Sequence, residues 1–235
     1  MKHVIGVGVS LLVGALVIFG VWQGLAAWGN LGYEPAAVAA ARVSTRVARL
    51  GLSVFPNSYP CHGSGSGAPG GGPNPAWVTY CASTSLVMPA HSTVIVTIKM
   101  YDSSTRLHNS FFSQVRGTLG GTEQVNGRSV RSLGAGRVAH TFTIQTPPDT
   151  AEPQLFVNVP LAGVSPDAST PVVIAGHRYP RPNVITFRIR TGAPGKYVWH
   201  CYDPCGTGLA GINAGFGGPM ATTGYMAGTL TVAGS

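Results

Sequence analysis

The sequence predicts an all-β sandwich or barrel that follows one apolar segment near the N-terminus. Three observations support this fold class. The chain of 235 residues contains 33 Gly and 18 Pro, a share well above the roughly 12% of average proteins. From residue 75 onward, short runs with strand patterns alternate with turns that contain Gly or Pro. Hydrophobic residues reach 44% and charged residues only 9%, which excludes a charge-rich disordered chain.

The same composition argues against several other classes of protein. Gly and Pro break helices, and the excess of Ala, Glu, Lys, Leu and Arg that marks a coiled coil is absent. No strand, Gly-rich turn and helix follow one another, as a doubly wound nucleotide-binding fold requires. The net charge is +8, from 15 basic and 7 acidic residues. The basic residues are scattered rather than clustered, so nucleic acid is not an expected partner.

The N-terminal segment predicts a membrane anchor. Val4 to Trp28 contains no charged residue, and its apolar core of about 19 residues is long enough to cross a bilayer. A cleavable signal has a shorter apolar region of roughly 7–15 residues. We therefore expect an uncleaved transmembrane helix within residues 1–30. Cleavage around the Ala-rich stretch Ala36 to Ala41 is the alternative.

Residues 31–74 are expected to form a short helix and a linker before the main domain. Glu34 to Leu50 is predicted to be helical, because a Pro suits its first turn and a Gly follows its end. Gly, Pro and Ser then dominate the stretch that starts at Cys61, which indicates a flexible linker. Cys61 and Cys81 flank this linker, and in an oxidising compartment we expect them to form a disulfide, although four Cys allow three pairings.

Residues 75–235 are predicted to form one domain of short strands. The clearest run is "STVIVTIKMYD", in which Val94, Val96 and Ile98 share one face. Further strand runs are "AWVTYCAS", "RVAHTFTI", "PQLFVNVPL", "TPVVIAGH", "NVITFRIRT", "GKYVWHCY" and "YMAGTLTV". Residues 103–136 carry few apolar side chains and are expected to be a surface excursion.

The C-terminal run "GKYVWHCYDPCG" carries residues suited to metal chemistry. By the period of a strand, Tyr197, Trp199 and Cys201 share one face, whereas His200 points to the other face. Cys205 follows in a loop that contains Pro and Gly. The strand therefore delivers a thiol to its own end, beside two aromatic rings.

The order of motifs along residues 75–232 resembles that of the cupredoxins. The patterns V-x-H-x-F-x-I around His140, G-x-Y-x-W-x-C before Cys201 and M-x-G-x-x-x-V from Met226 occur in the family's order. More narrowly, "GKYVWHCYDPCG" is similar to the dinuclear copper (CuA) loop of haem–copper oxidase subunit II, with two Cys four residues apart. A single N-terminal helix before such a domain resembles the one-helix forms of subunit II. The resemblance implies a cupredoxin-like antiparallel Greek-key sandwich.

Carried onto this chain, the resemblance implies a copper site with one or two ions. Cys201 and Cys205 correspond to the bridging thiolates, and His140 corresponds to an imidazole ligand. Asp203 would contribute its backbone carbonyl, and Met226 would be the weak thioether ligand. Thiolate, thioether and imidazole together form a ligand set that suits copper.

The chain departs from the family pattern at one ligand. The family places a second His three residues before the Met, and that position is Thr223 here. The insertion "LAGINAGFGGPMA" lengthens the loop and contributes Met220 but no His. Met220 and His200 are candidate additional ligands. Other candidates for the missing imidazole are His62, His91 and His177, none of which stands at the expected position.

Three functions remain open from the sequence. The first is a single-pass protein of the cell membrane with an extracytoplasmic domain. Its copper would transfer electrons from a soluble donor to other subunits of a respiratory complex, and it would not be catalytic alone. The second is a copper-free structural or assembly subunit with a Cys201–Cys205 disulfide. The third is a periplasmic copper carrier. Lys2 and the arginines after the apolar segment give opposing orientation signals, so the outward orientation rests on the cysteines and the domain type.

Overall fold

The computed structural model of the chain describes residues 14, 16–21, 36–62, 77–165, 171–203 and 218–234. The chain divides into two compact units, Met1–Tyr33 and Glu34–Ser235. In the first unit, residues 14 and 16–21 are helical. Among the described residues, no helix is long and apolar enough to span a membrane. Most of the predicted membrane segment lies outside the described residues, so the anchor stays a prediction.

The described part of the second unit is built almost entirely from strands, which confirms the all-β fold class. In chain order they are β1 (Val38–Ala39), β2 (Ala41–Ser44), β3 (Val47–Phe55), β4 (Thr79–Cys81), β5 (Ser85–Pro89), β6 (Thr93–Met100), β7 (Glu123–Val125), β8 (Arg128–Val130), β9 (Val138–Gln145), β10 (Phe156–Ala162), β11 (Val172–Ile174), β12 (His177–Tyr179), β13 (Asn183–Arg190), β14 (Gly195–His200) and β15 (Ala227–Ala233). One short helix, α1 (Tyr59–His62), and 3-10 turns at Ser110–Ser113, Ala135–Arg137 and Pro219–Ala221 complete the elements.

Two sheets pack around one hydrophobic core. The first sheet has the strand order β1-β5-β15-β14-β9-β10. The second has the order β2-β3-β6-β13-β7-β8, with β4 paired to β3, while β11 and β12 form a separate hairpin. Most pairs are antiparallel, but β1 with β5, β5 with β15 and β3 with β6 are parallel. The antiparallel sandwich expected from the sequence is therefore a mixed one, because residue alternation encodes which face is buried and not the direction of the neighbouring strand.

The helix predicted over Glu34 to Leu50 is wrong, since the described part of this segment forms β1, β2 and the start of β3. In β3, Leu50, Leu52 and Val54 are buried while Arg49 and Gly51 are exposed, which is the period of a strand. Tertiary pairing of β3 with β6 overrides the helix preference of the Ala-rich sequence. The β domain therefore begins well before residue 75.

The predicted inner faces of the strands are confirmed. Val96 and Ile98 of β6 are fully buried, and Tyr197 and Trp199 of β14 share the buried face. The indole Nε1–H of Trp199 donates a hydrogen bond to the carbonyl of Thr84 at 3.0 Å. A buried indole needs such a partner, so this contact sets the position of the ring and of the strand end that follows it.

The segment at residues 103–136 is more than the surface excursion that its composition suggests. It contributes β7 and β8 to the second sheet, where β7 pairs with β13. Its few apolar side chains include Leu107, Val115 and Leu133, all of which are buried. These buried residues show that part of the segment belongs to the core, whereas Phe111 and Leu119 are exposed.

The Cys61–Cys81 disulfide predicted from the sequence is confirmed. It links α1 to β4, with the two Cα atoms 5.3 Å apart. The loop between the two Cys lies mostly outside the described residues. The cross-link therefore ties both ends of the Gly- and Pro-rich stretch to the second sheet, and such a link reduces the conformational freedom of the unfolded chain.

Glu123 of β7 is an acidic residue on the inner side of the second sheet. It is 1% exposed, and neither of its carboxyl oxygens has a hydrogen-bond partner among the described residues. Burial raises the pKa of Glu123 to about 8, because the charged form cannot be solvated in the core. The folded protein therefore keeps this carboxyl protonated at neutral pH.

We predict that stability falls as the pH rises from 4.5 to 8. The unfolded chain releases the Glu123 proton near the ordinary value of 4.5 and the folded chain near 8, so the folded state binds more protons across this range. The loss is on the order of a few kcal/mol. In chemical denaturation, Glu123→Gln should flatten this dependence and unfold at higher denaturant than the unmodified protein at pH 8. The exposed Asp149→Asn is the control, and an equal slope for Glu123→Gln and the unmodified protein would refute the assignment.

Candidate metal centre

Four strand ends meet at one end of the sandwich and bring the candidate residues together. Asp102 follows β6 of the second sheet, whereas His140 lies near the start of β9 of the first. Cys201 follows β14, and Met226 precedes β15. The backbone N–H of Cys201 donates to the carbonyl of Met226 at 2.9 Å. Residues that are 124 positions apart in the sequence, Asp102 and Met226, thus belong to the same end of the fold.

His140 and Cys201 form the centre of this cluster. Both are fully buried, and Nδ1 of the imidazole lies 3.8 Å from Sγ of Cys201. Zinc bonds to nitrogen and sulfur measure about 2.0–2.1 Å and 2.3 Å, and copper bonds are of similar length. Because 3.8 Å is less than the sum of two such bonds, one ion can bond both atoms at a bent angle. The pair therefore fits a soft metal ion in both donor chemistry and spacing.

A carboxylate sets the orientation of the His140 ring. Nε2 lies 2.9 Å from Oδ2 of Asp102, so this nitrogen carries the hydrogen and donates it to the carboxylate. Nδ1 is then directed at the sulfur of Cys201. The backbone N–H of Ser103 donates to the other carboxylate oxygen at 2.8 Å, which holds Asp102 in place. Carboxylates that support ligand imidazoles in this way are frequent around protein metal sites.

The sulfur of Cys201 lies among backbone hydrogen-bond donors. The N–H groups of Thr141 and Asp203 each donate to Sγ at 3.4 Å. Hydrogen bonds to the charged form favour that form, and the thiolate is the state that binds metal. The loop geometry thus prepares the sulfur for a ligand role.

Asp203, the predicted carbonyl contributor, is buried next to the sulfur. Its backbone oxygen lies 3.4 Å from Sγ of Cys201. Its carboxylate is hydrogen-bonded to the hydroxyl of Thr105. Burial raises the pKa of Asp203, the Thr105 hydrogen bond opposes this, and the charge of Cys201 adds to the increase. Asp203 therefore lies beside the sulfur, and its role as a ligand stays a prediction.

The pKa of His140 is raised to about 10. Burial is the largest single effect and lowers the pKa. The hydrogen bonds to Asp102 and Cys201, together with the charges of these two residues, raise the pKa by more than burial lowers it. The low dielectric of the interior strengthens these interactions with the two acidic groups. The arrangement consequently holds the protonated imidazole between a carboxylate and a sulfur. A metal ion would take the place of the proton on Nδ1 and would lie between the ring and the sulfur.

Met226 and Met220 are both buried at this end of the core. The N–H of Met226 donates to the carbonyl of Pro219 at 3.1 Å, which joins the 3-10 turn carrying Met220 to the start of β15. The structure thus places the backbone of Met226 against Cys201. Ligation by either thioether stays a prediction.

The other predicted ligands are distributed differently. Cys205 and the side chain of His62 lie outside the described residues. His200 points away from Cys201, as its strand position predicted. Its ring packs against the ring of Tyr202, with the two centroids 4.2 Å apart. Burial lowers the pKa of His200.

Two other candidate histidines, His91 and His177, lie on different elements of the fold. The N–H of His91 donates to the carbonyl of Gly192, which precedes β14, so His91 lies at the end of β14 opposite to Cys201. His177 belongs to the β11–β12 hairpin. Thr223, the family's second His position, forms a bridge with Ala227. Within the described residues no group of three or more His, Cys, Asp or Glu side chains is arranged for a metal ion.

Sequence reasoning missed two residues of this site. Asp102 was read only as the end of a strand run, although acids are scarce in this chain and this one directly follows a core strand. Thr141 supplies an N–H to the sulfur, and its hydroxyl accepts from the N–H of Tyr202 at 2.8 Å. These contacts join β9 to the loop after β14, so only the pairing of the two strands reveals them.

Comparisons with known proteins give limited information. No protein-family profile and no curated protein sequence matches the chain. Among solved structures, the chain is similar to auracyanin B with 15% identity, 86% of this chain and 99% of that chain covered, and a TM-score of 0.30. It is also similar to rusticyanin from Thiobacillus ferrooxidans with 15% identity, 88% and 92% covered, and a TM-score of 0.35. At TM-scores this low, the matches establish neither a shared family nor a shared function.

We predict that Asp102→Asn weakens the binding of copper by roughly 10- to 100-fold, the range found for residues that support metal ligands. Asn can still accept the Nε2 hydrogen of His140, but it lacks the negative charge that faces the imidazole. Competition with a chromophoric chelator measures the affinity. The exposed Asp149→Asn is the matched control, and equal affinities of the two variants would show that Asp102 does not support the site.

Proposed function

We propose that the protein is an extracytoplasmic copper protein that transfers electrons while its N-terminal segment anchors it in the membrane. The observation that carries this proposal is the buried pair of His140 Nδ1 and Cys201 Sγ, 3.8 Å apart, with Asp102 behind the ring. The order of motifs that resembles the cupredoxins supports it independently.

The candidate copper ligands form two sets, and different observations support each set. His140 and Cys201 would hold the ion, since their donor atoms face each other in the interior. Met226 and Asp203 adjoin them through the backbone, and Cys205 is a candidate from the sequence alone. Bound copper would supply reversible one-electron chemistry, which none of these side chains provides by itself.

The surroundings of the pair suit electron transfer. His140 lies on β9 and Cys201 follows β14; these two strands pair with each other, and Phe142 of β9 packs against Trp199 of β14. A rigid scaffold keeps the ligand positions similar in both oxidation states, which lowers the cost of reorganisation. Burial of both side chains also keeps water away from the sulfur.

Aromatic rings lead from the buried pair toward the surface. Tyr202, directly after Cys201, stacks on Phe112 with ring centroids 4.3 Å apart. Phe112 in turn contacts Phe111 edge to face at 5.1 Å, and Phe111 is 45% exposed. This row of rings supports a route by which an electron could pass between Cys201 and a docked partner.

The finer form of the proposal is an electron-entry subunit that resembles subunit II of a terminal oxidase. The uncharged segment from Val4 to Trp28 and the CuA-like spacing of Cys201 and Cys205 support it. A soluble donor would deliver electrons, and other subunits of a membrane respiratory complex would receive them. The protein alone would carry out no catalysis.

Copper loading of the full chain tests the proposal. We expect an intense visible thiolate-to-copper band and a copper paramagnetic resonance signal from the purified protein. Both should disappear in Cys201→Ser, because the sulfur supplies the charge-transfer band. The double variant Cys61→Ser and Cys81→Ser is the matched control, since it removes two sulfurs that are bonded to each other and should keep the band.

Other outcomes would refute electron transfer by copper. A colourless protein in which Cys201 and Cys205 form a disulfide would favour the copper-free structural subunit. A colourless copper(I) complex that passes its metal to a chelator and cannot be oxidised reversibly would favour the copper carrier. Loss of the band in the Cys61 and Cys81 control, but not in Cys201→Ser, would show that the site has been assigned to the wrong sulfur.

A further inference from the structure

The charged residues of the domain are distributed unequally between its two sheets. The strands of the second sheet carry Arg42, Arg49, Lys99, Arg128, Arg188 and Arg190, whereas those of the first sheet carry Lys196 alone. Four of these residues lie on the outer face of the second sheet. We name them the cationic face: Arg49, Lys99, Arg188 and Arg190.

Strand register shows that these four side chains share one surface. Ile95 of β6 pairs with Arg49 on one side and with Arg188 on the other. At roughly 4.8 Å between neighbouring strands, the two arginine backbones are about 10 Å apart. Arg190 is two residues beyond Arg188, and Lys99 is four beyond Ile95, so both point the same way. All four basic residues are exposed.

Among the described residues, no acidic side chain forms an ion pair with the cationic face. Glu123 is the only acidic residue on the strands of the second sheet, and it is buried on the inner side. In the parts of the chain that the structure describes, the only ion pair found is that of His140 with Asp102. The positive charge of the cationic face is therefore left for an external partner.

The outward residues between the cations include Ile95, which separates Arg49 from Arg188, and polar side chains. One row across the sheet runs through Thr97, Thr186, Gln124 and Ser129 by register. A pocket on this face, lined partly by Thr186 and Arg188, has a volume of about 140 Å³, well below the 300–1,000 Å³ that is usual for small-molecule sites. Hydroxyl, amide and guanidinium groups together are suited to contacts with phosphate oxygens.

We infer that the cationic face binds the anionic phospholipid headgroups of the membrane. Stable protein interfaces are rich in Arg but also use buried aromatic anchors, and the outward positions of these strands hold no aromatic ring. A headgroup layer requires only accessible cations and hydrogen-bond donors. The uncharged segment from Val4 to Trp28 precedes these strands in the sequence, and this part of the argument rests on the proposed membrane anchor.

Chemical modification of the full chain tests the inference at single residues. The protein is mixed with vesicles of phosphatidylcholine alone or with added phosphatidylglycerol, and arginines are modified with phenylglyoxal and read by mass spectrometry. We expect phosphatidylglycerol to slow the modification of Arg49, Arg188 and Arg190 at least roughly fivefold, the factor for one basic residue at an anionic surface. Salt should abolish the effect. The exposed Arg178 and Arg181, which lie outside the face, should not change.

A triple variant tests whether the protection depends on the arginines of the cationic face. In the unmodified protein, vesicles with phosphatidylglycerol should protect Lys99 from acylation. In the triple variant Arg49→Gln, Arg188→Gln and Arg190→Gln, this protection should be lost. The double variant Arg178→Gln and Arg181→Gln is the control and should keep it. Lys196, on the first sheet, reports the background rate in both.

The outcomes distinguish this inference from the membrane anchor. Flotation with phosphatidylcholine vesicles tests the anchor alone, whereas protection that appears only with phosphatidylglycerol tests the face, whether or not the chain floats. Unchanged modification of the face, or equal protection of Arg178 and Arg181, would overturn the inference. Protection by soluble polyglutamate but not by phosphatidylglycerol would also overturn it, in favour of an acidic protein partner.

Discussion

The hydrogen bond between Asp102 and His140 is the contact on which the site depends. Asp102 ends a strand of one sheet and His140 lies on a strand of the other, so this 2.9 Å contact joins the two layers of the sandwich at one end. It also fixes the orientation of the ring, so that Nε2 faces the carboxylate and Nδ1 faces Cys201. A side chain without a hydrogen-bond acceptor at position 102 would remove this constraint on the ring.

Three buried polar groups at this end of the fold have hydrogen-bond partners. His140, Asp203 and the sulfur of Cys201 are buried, and each of them contacts at least one donor or acceptor. Glu123, in contrast, lies in the same domain without a hydrogen bond among the described residues. The two cases show that the described buried acids are either engaged at the site or kept neutral by burial, and that the strands of the second sheet carry no acid on their outer face.

Several features followed from the sequence because they depend on local periodicity. The β6 and β14 patterns identified the buried faces, including that of Cys201, and the sequence context of Cys61 and Cys81 identified their disulfide. The helix predicted before β3 failed, since Ala-rich alternation is compatible with either period and pairing with β6 decides between them. The contribution of residues 103–136 to the second sheet was missed for the same reason, because β7 is only three residues long and depends on β13.

By itself, the sequence determined the all-β class, the sulfur-bearing strand end and the residue types of a soft-metal site. Only the tertiary structure decided that Asp102 supports His140, that Thr141 donates to the sulfur, and that four cations share one face. The physical reason is that strand periodicity acts over a few residues, whereas these contacts arise from pairing and packing between strands that are far apart in the chain. Alternation specifies the face on which a side chain lies, and register specifies which side chain it meets.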